Sequence, residues 1–226
     1  MTAENDQPCR RDIPTDGGNA LDLLPYVLAV LAAYLLGSIP TGYLLARMSG
    51  NVDLLSQGSR KTGTTNVLRT LGWKAAAVVF AGDFGKGIAA VLVARVVTGG
   101  SPIGDALAGL TAVAGHNYSL FIGFKGGRGV ATGLGTLFVV VPIVATVCLV
   151  LATAIIAVTR YVSLGSILGA GAVGLLALVL FLTLGQPLPH VLYAVAGSLF
   201  VIASHRDNIG RLLTGKERKL GERLHP

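Results

Sequence analysis

Phe124-Lys125-Gly126-Gly127-Arg128-Gly129-Val130-Ala131-Thr132 is a short polar stretch between two hydrophobic runs, and its residue types suit an anion. Three glycines within four residues let the backbone turn tightly and aim successive N–H groups into one concavity. Lys125 and Arg128 bracket those glycines with positive charge. The apolar run from Val130 reads as a helix, so its N-terminal dipole faces the same spot. All three features favour a phosphate. The other reading is a basic loop that only orients the protein at a membrane. The stretch is not a Walker A loop, because the G-x-x-x-x-G-K-[ST] spacing is absent.

Two further polar clusters interrupt the apolar sequence. Gly58 to Arg69 carries Ser59, Thr62, Thr64, Thr65 and Asn66 among Arg60, Lys61 and Arg69, a density of donors suited to oxyanions. A solvated loop is the alternative there. Ser204-His205-Arg206-Asp207-Asn208, continuing through Arg211 to Glu217, opens the C-terminal region. Asp83 and Lys86 lie three apart in an apolar segment, share a helix face and can neutralise each other. His116 stands two helical turns before the glycine stretch, as a packing residue or as a part of the site. Cys9 and Cys148 are a poor disulfide pair, and no group of ligand residues has metal-site spacing.

The rest of the chain must hold these clusters in a bilayer. Of 226 residues, 52% are hydrophobic and 13% charged, with mean hydropathy +0.69; that is the composition of an integral membrane protein. The net charge of +7 could suggest nucleic acid, but the basic residues sit in short loops between apolar segments, which a membrane-side bias explains better. Residues 1–22 are polar, lack the pattern of a signal peptide and read as a disordered tail. A membrane domain follows over 23–218, with a short tail over 219–226.

Apolar segments are expected at about Leu23 to Met48 (one tilted helix that Pro40 can kink), Trp73 to Val97, Pro102 to Phe124, Ser163 to Leu184 and His190 to Ala203. Gly129 to Thr159 is too long for one ordinary span and short for two. Charge decides for two short helices around Pro142. With that count, fourteen of the eighteen Lys and Arg residues fall on one side, against Arg10, Arg11 and Arg95 on the other and Lys86 within a span. One long helix would carry the basic tail across the membrane, against the positive-inside tendency. The expectation is an all-α membrane protein of about seven transmembrane helices, N-terminus outside and C-terminus inside. The three polar clusters then share the inner face. A transporter would place its site near the midplane on broken helices.

Over about Ala33 to Arg218 the sequence resembles the bacterial acyl-phosphate-dependent glycerol-3-phosphate acyltransferases. The first motif of that family matches Gly58-Ser59, Gly63, Thr65-Asn66 and Arg69. The second matches Gly115-His116 and Phe124 to Thr132. The third matches His205, Asn208, Arg211-Leu212-Leu213, Gly215 and Glu217; Arg160 to Leu164 and the Asp83/Lys86 pair also look like the family's. The chain departs from the pattern at Arg60-Lys61, where the family has Gly-Asn, and at Arg128, where it has lysine.

The resemblance implies transfer of a fatty acyl group from acyl phosphate to the 1-hydroxyl of sn-glycerol 3-phosphate, giving lysophosphatidic acid and phosphate as the first step of phospholipid synthesis. It implies a monomer in the bacterial inner membrane, working at the cytoplasmic side among membrane lipid, with no metal and no cofactor. Ser59, Asn66, Arg69, Arg128, His205 and Asn208 are the expected catalytic residues. Thr65, Lys125, Gly126, Gly127, Gly129 and His116 are expected around substrate phosphate, and Glu217, Asp83 and Lys86 in structural pairs. His205 or a substrate phosphate oxygen would take the hydroxyl proton. The chain lacks an H-E-x-x-H zinc motif, a G-x-S-x-G elbow and a His-x4-Asp dyad. The rival readings are a membrane transporter of phosphorylated solutes and a non-catalytic scaffold.

Overall fold

A computed structural model describes residues 20–222. The tail expected over residues 1–22 therefore lies outside the described residues, apart from 20–22, which open the first helix; 223–226 lie outside as well. The first apolar run is not one helix. α1 (Ala20–Ser38) stops before Pro40 and α2 (Thr41–Met48) restarts beyond it. Proline has no N–H to continue the ladder and its ring crowds the preceding turn, so the expected kink is a break. The backbone exposed there is satisfied inside the protein, as a bilayer requires. Lys86 Nζ donates to the Ile39 carbonyl at 2.7 Å, and the Ser119 hydroxyl donates to the Ser38 carbonyl.

α3 (Thr64–Leu71), α4 (Trp73–Val97) and α5 (Pro102–Asn117) follow. α1, α4 and α5 meet through Ala29, Ala33, Ala90, Ala94, Ala108 and Ala112, all buried. Lipid is as apolar as leucine, so close packing of small residues holds such helices together. Large side chains such as Leu31, Leu35, Leu92 and Leu107 face outward instead. Two ion pairs lie within this group, the first buried and the second with a buried carboxylate and a half-exposed arginine. Lys86 Nζ is 2.7 Å from Asp83 Oδ1, and Arg95 of α4 grips Asp105 of α5 at 2.9 Å.

Residues 129–159 form two helices, α6 (Val130–Val140) and α7 (Pro142–Thr159), with Pro142 in the first turn of the second. α8 (Val162–Leu184), α9 (Leu188–Ser204) and the short α10 (Arg206–Leu213) complete the chain. Four spans, with α1 and α2 counted as one, are long and apolar enough to cross a membrane, and α9 joins them if α10 is taken with it across a 59° bend. α5 with 16 residues and α6 with 11 fall short of the ~20 of an ordinary span.

The connections gather at two ends. At one, the Thr62 N–H donates to the Gly126 carbonyl at 3.3 Å, and the Leu220 N–H to the Arg160 carbonyl at 2.6 Å. Arg69 Nη2 donates to the Arg218 carbonyl at 3.3 Å. The loop before α3, the loop before α6, the α7–α8 turn and the C-terminal tail therefore meet. At the other end Tyr26 bonds Ser101, and Arg95 reaches the Val139 carbonyl at 2.9 Å.

Candidate active site

The loop ahead of α3 is organised by one buried amide. Asn66 Nδ2 donates to the carbonyls of Leu54, Gln57 and Lys61, and Asn66 Oδ1 accepts the Ser59 N–H at 3.0 Å. Both N–H groups and one of the two acceptor sites of this side chain are spent on the loop, so Asn66 places Ser59 and Lys61. Arg69 follows one turn later on α3, where Thr65 and Arg69 share a face.

The glycine loop is seated on the end of α5. The Gly127 N–H donates to the His116 carbonyl at 3.1 Å. A Cβ on Gly126 would fall 2.1 Å from the His116 carbonyl oxygen, and one on Gly127 would fall 1.9 Å from His116 Nε2. Only glycine permits this approach. The imidazole cannot retreat freely, because it is buried with Nδ1 3.5 Å from the Asp83 carboxylate. His116 thus braces the loop from behind, backed by Asp83 and Lys86. Asn117 Nδ2 donates to the Ser204 hydroxyl at 2.8 Å, tying the same corner to α9.

The C-terminal segment closes the site from the other side. Glu217 accepts hydrogen bonds from Ser163 at 2.8 Å, from Asn208 at 2.7 Å and from Arg211 at 2.7 Å. Burial raises the pKa of this carboxyl, but the three hydrogen bonds outweigh it and hold the group below its ordinary value. Glu217 is an ionised clasp that fixes α10 against the start of α8. His205 Nδ1 bonds the Val201 carbonyl at 2.8 Å. Burial pushes its pKa down to about 4, so the ring is neutral at neutral pH. With the Nδ1 proton on that carbonyl, Nε2 keeps a lone pair.

These parts surround one cavity of about 500 Å³. Its mouth is lined by Ser59, Lys61, Thr65, Asn66, Arg69, His116, Arg128, Gly129, His205, Asn208 and Glu217. Its inner part is lined by apolar and small residues of α6, α7, α8 and α9, among them Leu137, Leu149, Ile156, Val173 and Val201. Burial, and then the nearby Arg211, lower the Arg128 pKa from its ordinary value. Burial and Arg128 do the same to Lys61, and burial to Arg69. Arginine stays charged throughout. The mouth therefore concentrates cations that repel one another. Arg128 Nε and Asn208 Oδ1 are buried there with no protein partner among the described residues. An incoming dianion would neutralise the crowded cations and accept from Arg128 Nε, while Asn208 Oδ1 could accept only from a donor such as a substrate hydroxyl.

Most residues expected from the sequence line this one cavity. Lys125 does not: it is exposed and outside the wall, its backbone bridged to Ser119. Phe124, at φ 57, makes the turn that leads into that bridge. Gly126 and Gly127 are buried against His116 and do not line the cavity. Lys61 and Ser163 are additions to the expected site residues; Lys61 carried a signal as a cation within a hydroxyl-rich loop, and Ser163 as part of the family-like Arg160 to Leu164 stretch.

A family model described as glycerol-3-phosphate acyltransferase matches residues 27–215. A glycerol-3-phosphate acyltransferase of Clostridioides difficile (strain 630) is 41% identical over 207 residues, covering 90% of this chain and 99% of the relative. Among solved structures, the glycerol 3-phosphate form of PlsY, an integral membrane glycerol 3-phosphate acyltransferase, matches with TM-score 0.79 and 41% identity, over 87% of this chain and 96% of that one. Its lysophosphatidic acid form matches with TM-score 0.76 and 41% identity, over 87% and 95%.

Proposed function

The chain belongs to the glycerol-3-phosphate acyltransferase family, and we propose that it moves a fatty acyl group from acyl phosphate to the 1-hydroxyl of sn-glycerol 3-phosphate, releasing lysophosphatidic acid and inorganic phosphate. The observation that carries this reading is the shape of the cavity. One end is a crowd of cations, Lys61, Arg69 and Arg128, and the other is an apolar channel between α6, α7, α8 and α9. A charged, water-soluble acceptor and a lipidic donor meet where the two ends join. A transporter would hold its anion midway along broken helices; here the cations sit at one end of the bundle.

The chemistry asks little of the protein beyond placement and charge. The acceptor oxygen attacks the acyl carbonyl carbon, the bond from that carbon to the phosphate oxygen breaks, and phosphate leaves with the electron pair. Phosphate is a good leaving group, so no acyl-enzyme is needed. Arg69 and Arg128 neutralise the two phosphates, and the Ser59 and Thr65 hydroxyls orient the acceptor or meet the carbonyl oxyanion. The hydroxyl proton passes to His205 Nε2 or to a phosphate oxygen. Bound dianions favour the protonated imidazole, so they raise the basicity of His205 at the moment it is needed. One chain carries every residue used, so a monomer suffices.

The donor is tested with purified enzyme and labelled glycerol 3-phosphate, offering acyl phosphate, acyl-CoA and acyl carrier protein in turn. Lysophosphatidic acid is expected from acyl phosphate alone, with phosphate released only when the acceptor is present. Comparable product from acyl-CoA would sink the donor assignment. No three His, Cys, Asp or Glu residues cluster as metal ligands among the described residues, so the cations above carry the phosphate charge and EDTA should leave the rate unchanged.

Seven crossings in a bacterial inner membrane, with the site facing the cytoplasm, fit the grouping of loops at two ends of the bundle. The glycine loop and Arg160 meet the same tail and neighbouring loops, so α6 and α7 together leave and return. This is tested by single cysteines placed in a variant without Cys9 and Cys148. A cysteine at Pro189 should react with an impermeant thiol reagent applied outside the cell, and one at Thr214 should not. Outside labelling of Thr214 would overturn the orientation.

A further inference from the structure

α9 presents Tyr193, Gly197 and Val201 to the cavity at four-residue spacing, which is one face of a helix, and His205 at its C-terminal cap continues the row. Twelve residues at ~1.5 Å each put Tyr193 about 18 Å along the axis from His205. The channel between stays open because Ala152, Gly169, Ala170 and Ala194 supply little bulk to its walls.

Tyr193 is held from two sides. Its ring lies against Gly109 of α5, where a Cβ would fall 2.5 Å from the ring edge. Its hydroxyl is hydrogen-bonded to Thr136 of α6. Val140, Val141, Val144 and Ala177 pack in the same buried cluster but do not line the cavity. The channel therefore ends on a pinned aromatic ring with close-packed residues around it.

We infer that Tyr193, fixed by Gly109 and Thr136, is the floor of the acyl-chain channel and sets the longest fatty acyl group transferred at full rate. The inference rests on the acyl phosphate reading above. A chain longer than the channel either displaces a ring held by a buried hydrogen bond or leaves its last methylenes outside. Each methylene left unburied forfeits about fourfold in binding.

The test compares kcat/KM for dodecanoyl, hexadecanoyl, octadecanoyl and eicosanoyl phosphate at saturating glycerol 3-phosphate. Ratios between donors within one preparation do not depend on the fraction of folded enzyme. Tyr193→Ala should extend the range, raising the eicosanoyl-to-dodecanoyl ratio about 10-fold or more as two or more methylenes gain burial. Gly109→Ala pushes the ring into the channel and should shift the limit to shorter chains. Tyr193→Phe keeps the ring and should keep the limit. Should the first two variants not fold, Ala194→Leu fills the channel beside the floor and must shorten the range. A wild-type chain-length profile in active Tyr193→Ala, Gly109→Ala or Ala194→Leu enzyme would overturn the inference. A wild-type enzyme that uses no acyl phosphate of any length would overturn the donor assignment, and this inference with it.

Discussion

Gly126→Ala is expected to lower kcat/KM for acyl transfer by about 100-fold or more, the scale of a reacting group misplaced by an ångström. The added Cβ would lie 2.1 Å from the His116 carbonyl oxygen and 2.6 Å from that of Asn117. Both are backbone atoms at the end of α5, so no flexible side chain can yield, and the glycine loop itself must move. That loop carries Arg128 and leads into α6 at the mouth of the cavity. Overpacking of this kind also destabilises by roughly 1–3 kcal/mol, so activity is read on the folded fraction of detergent-purified enzyme. Gly171→Ala is the control. It sits within α8 with nothing near its Cβ position, and a helical Gly-to-Ala change is favourable by up to about 1 kcal/mol. Wild-type kinetics for Gly126→Ala would show that the seating of the loop on His116 does not position the reaction.

Arg128→Ala should weaken use of glycerol 3-phosphate by about 10- to 100-fold, since charge-assisted hydrogen bonds are worth about 1.5–3 kcal/mol. The stability of the variant should run the other way. Burial and Arg211 both disfavour the Arg128 charge in the folded protein, and its Nε is buried without a protein partner. Removing it relieves a cost that substrate otherwise offsets, so thermal stability without substrate should be unchanged or higher. Arg128→Lys should keep much of the activity, because lysine is the usual residue of the motif and binds phosphate as a point charge. A loss of stability that accounts for the whole loss of activity would move Arg128 from substrate binding to structure. Unchanged kinetics in the alanine variant would remove it from the site.

The two variants divide the work of one short stretch. Gly126 is constrained by what lies behind the loop, and Arg128 acts on what lies in front of it. Lys125, beside them in sequence, belongs to neither group.

What the sequence determined by itself is what depends on neighbours along the chain. Apolar runs of span length, Pro142 dividing 129–159 into two helices and the charge pattern of the loops are all local properties. The same locality let the triple-glycine stretch and the spaced hydroxyls read as an anion site. Even there the strength of an effect was out of reach: Pro40 reads as a kink but breaks the first helix, because Lys86 and Ser119 arrive to satisfy the freed carbonyls. Tertiary structure decided which side chains face the cavity. Asn66 spends its amide on loop carbonyls, Lys125 ends outside the cavity, and Lys61 comes in beside Arg128. Ser163 meets Glu217 across 54 residues, and Tyr193 closes a channel against helices from two other parts of the chain. The reason is physical: residue type fixes what a side chain can bond, but a turn at Phe124 or a contact between distant helices fixes what it reaches.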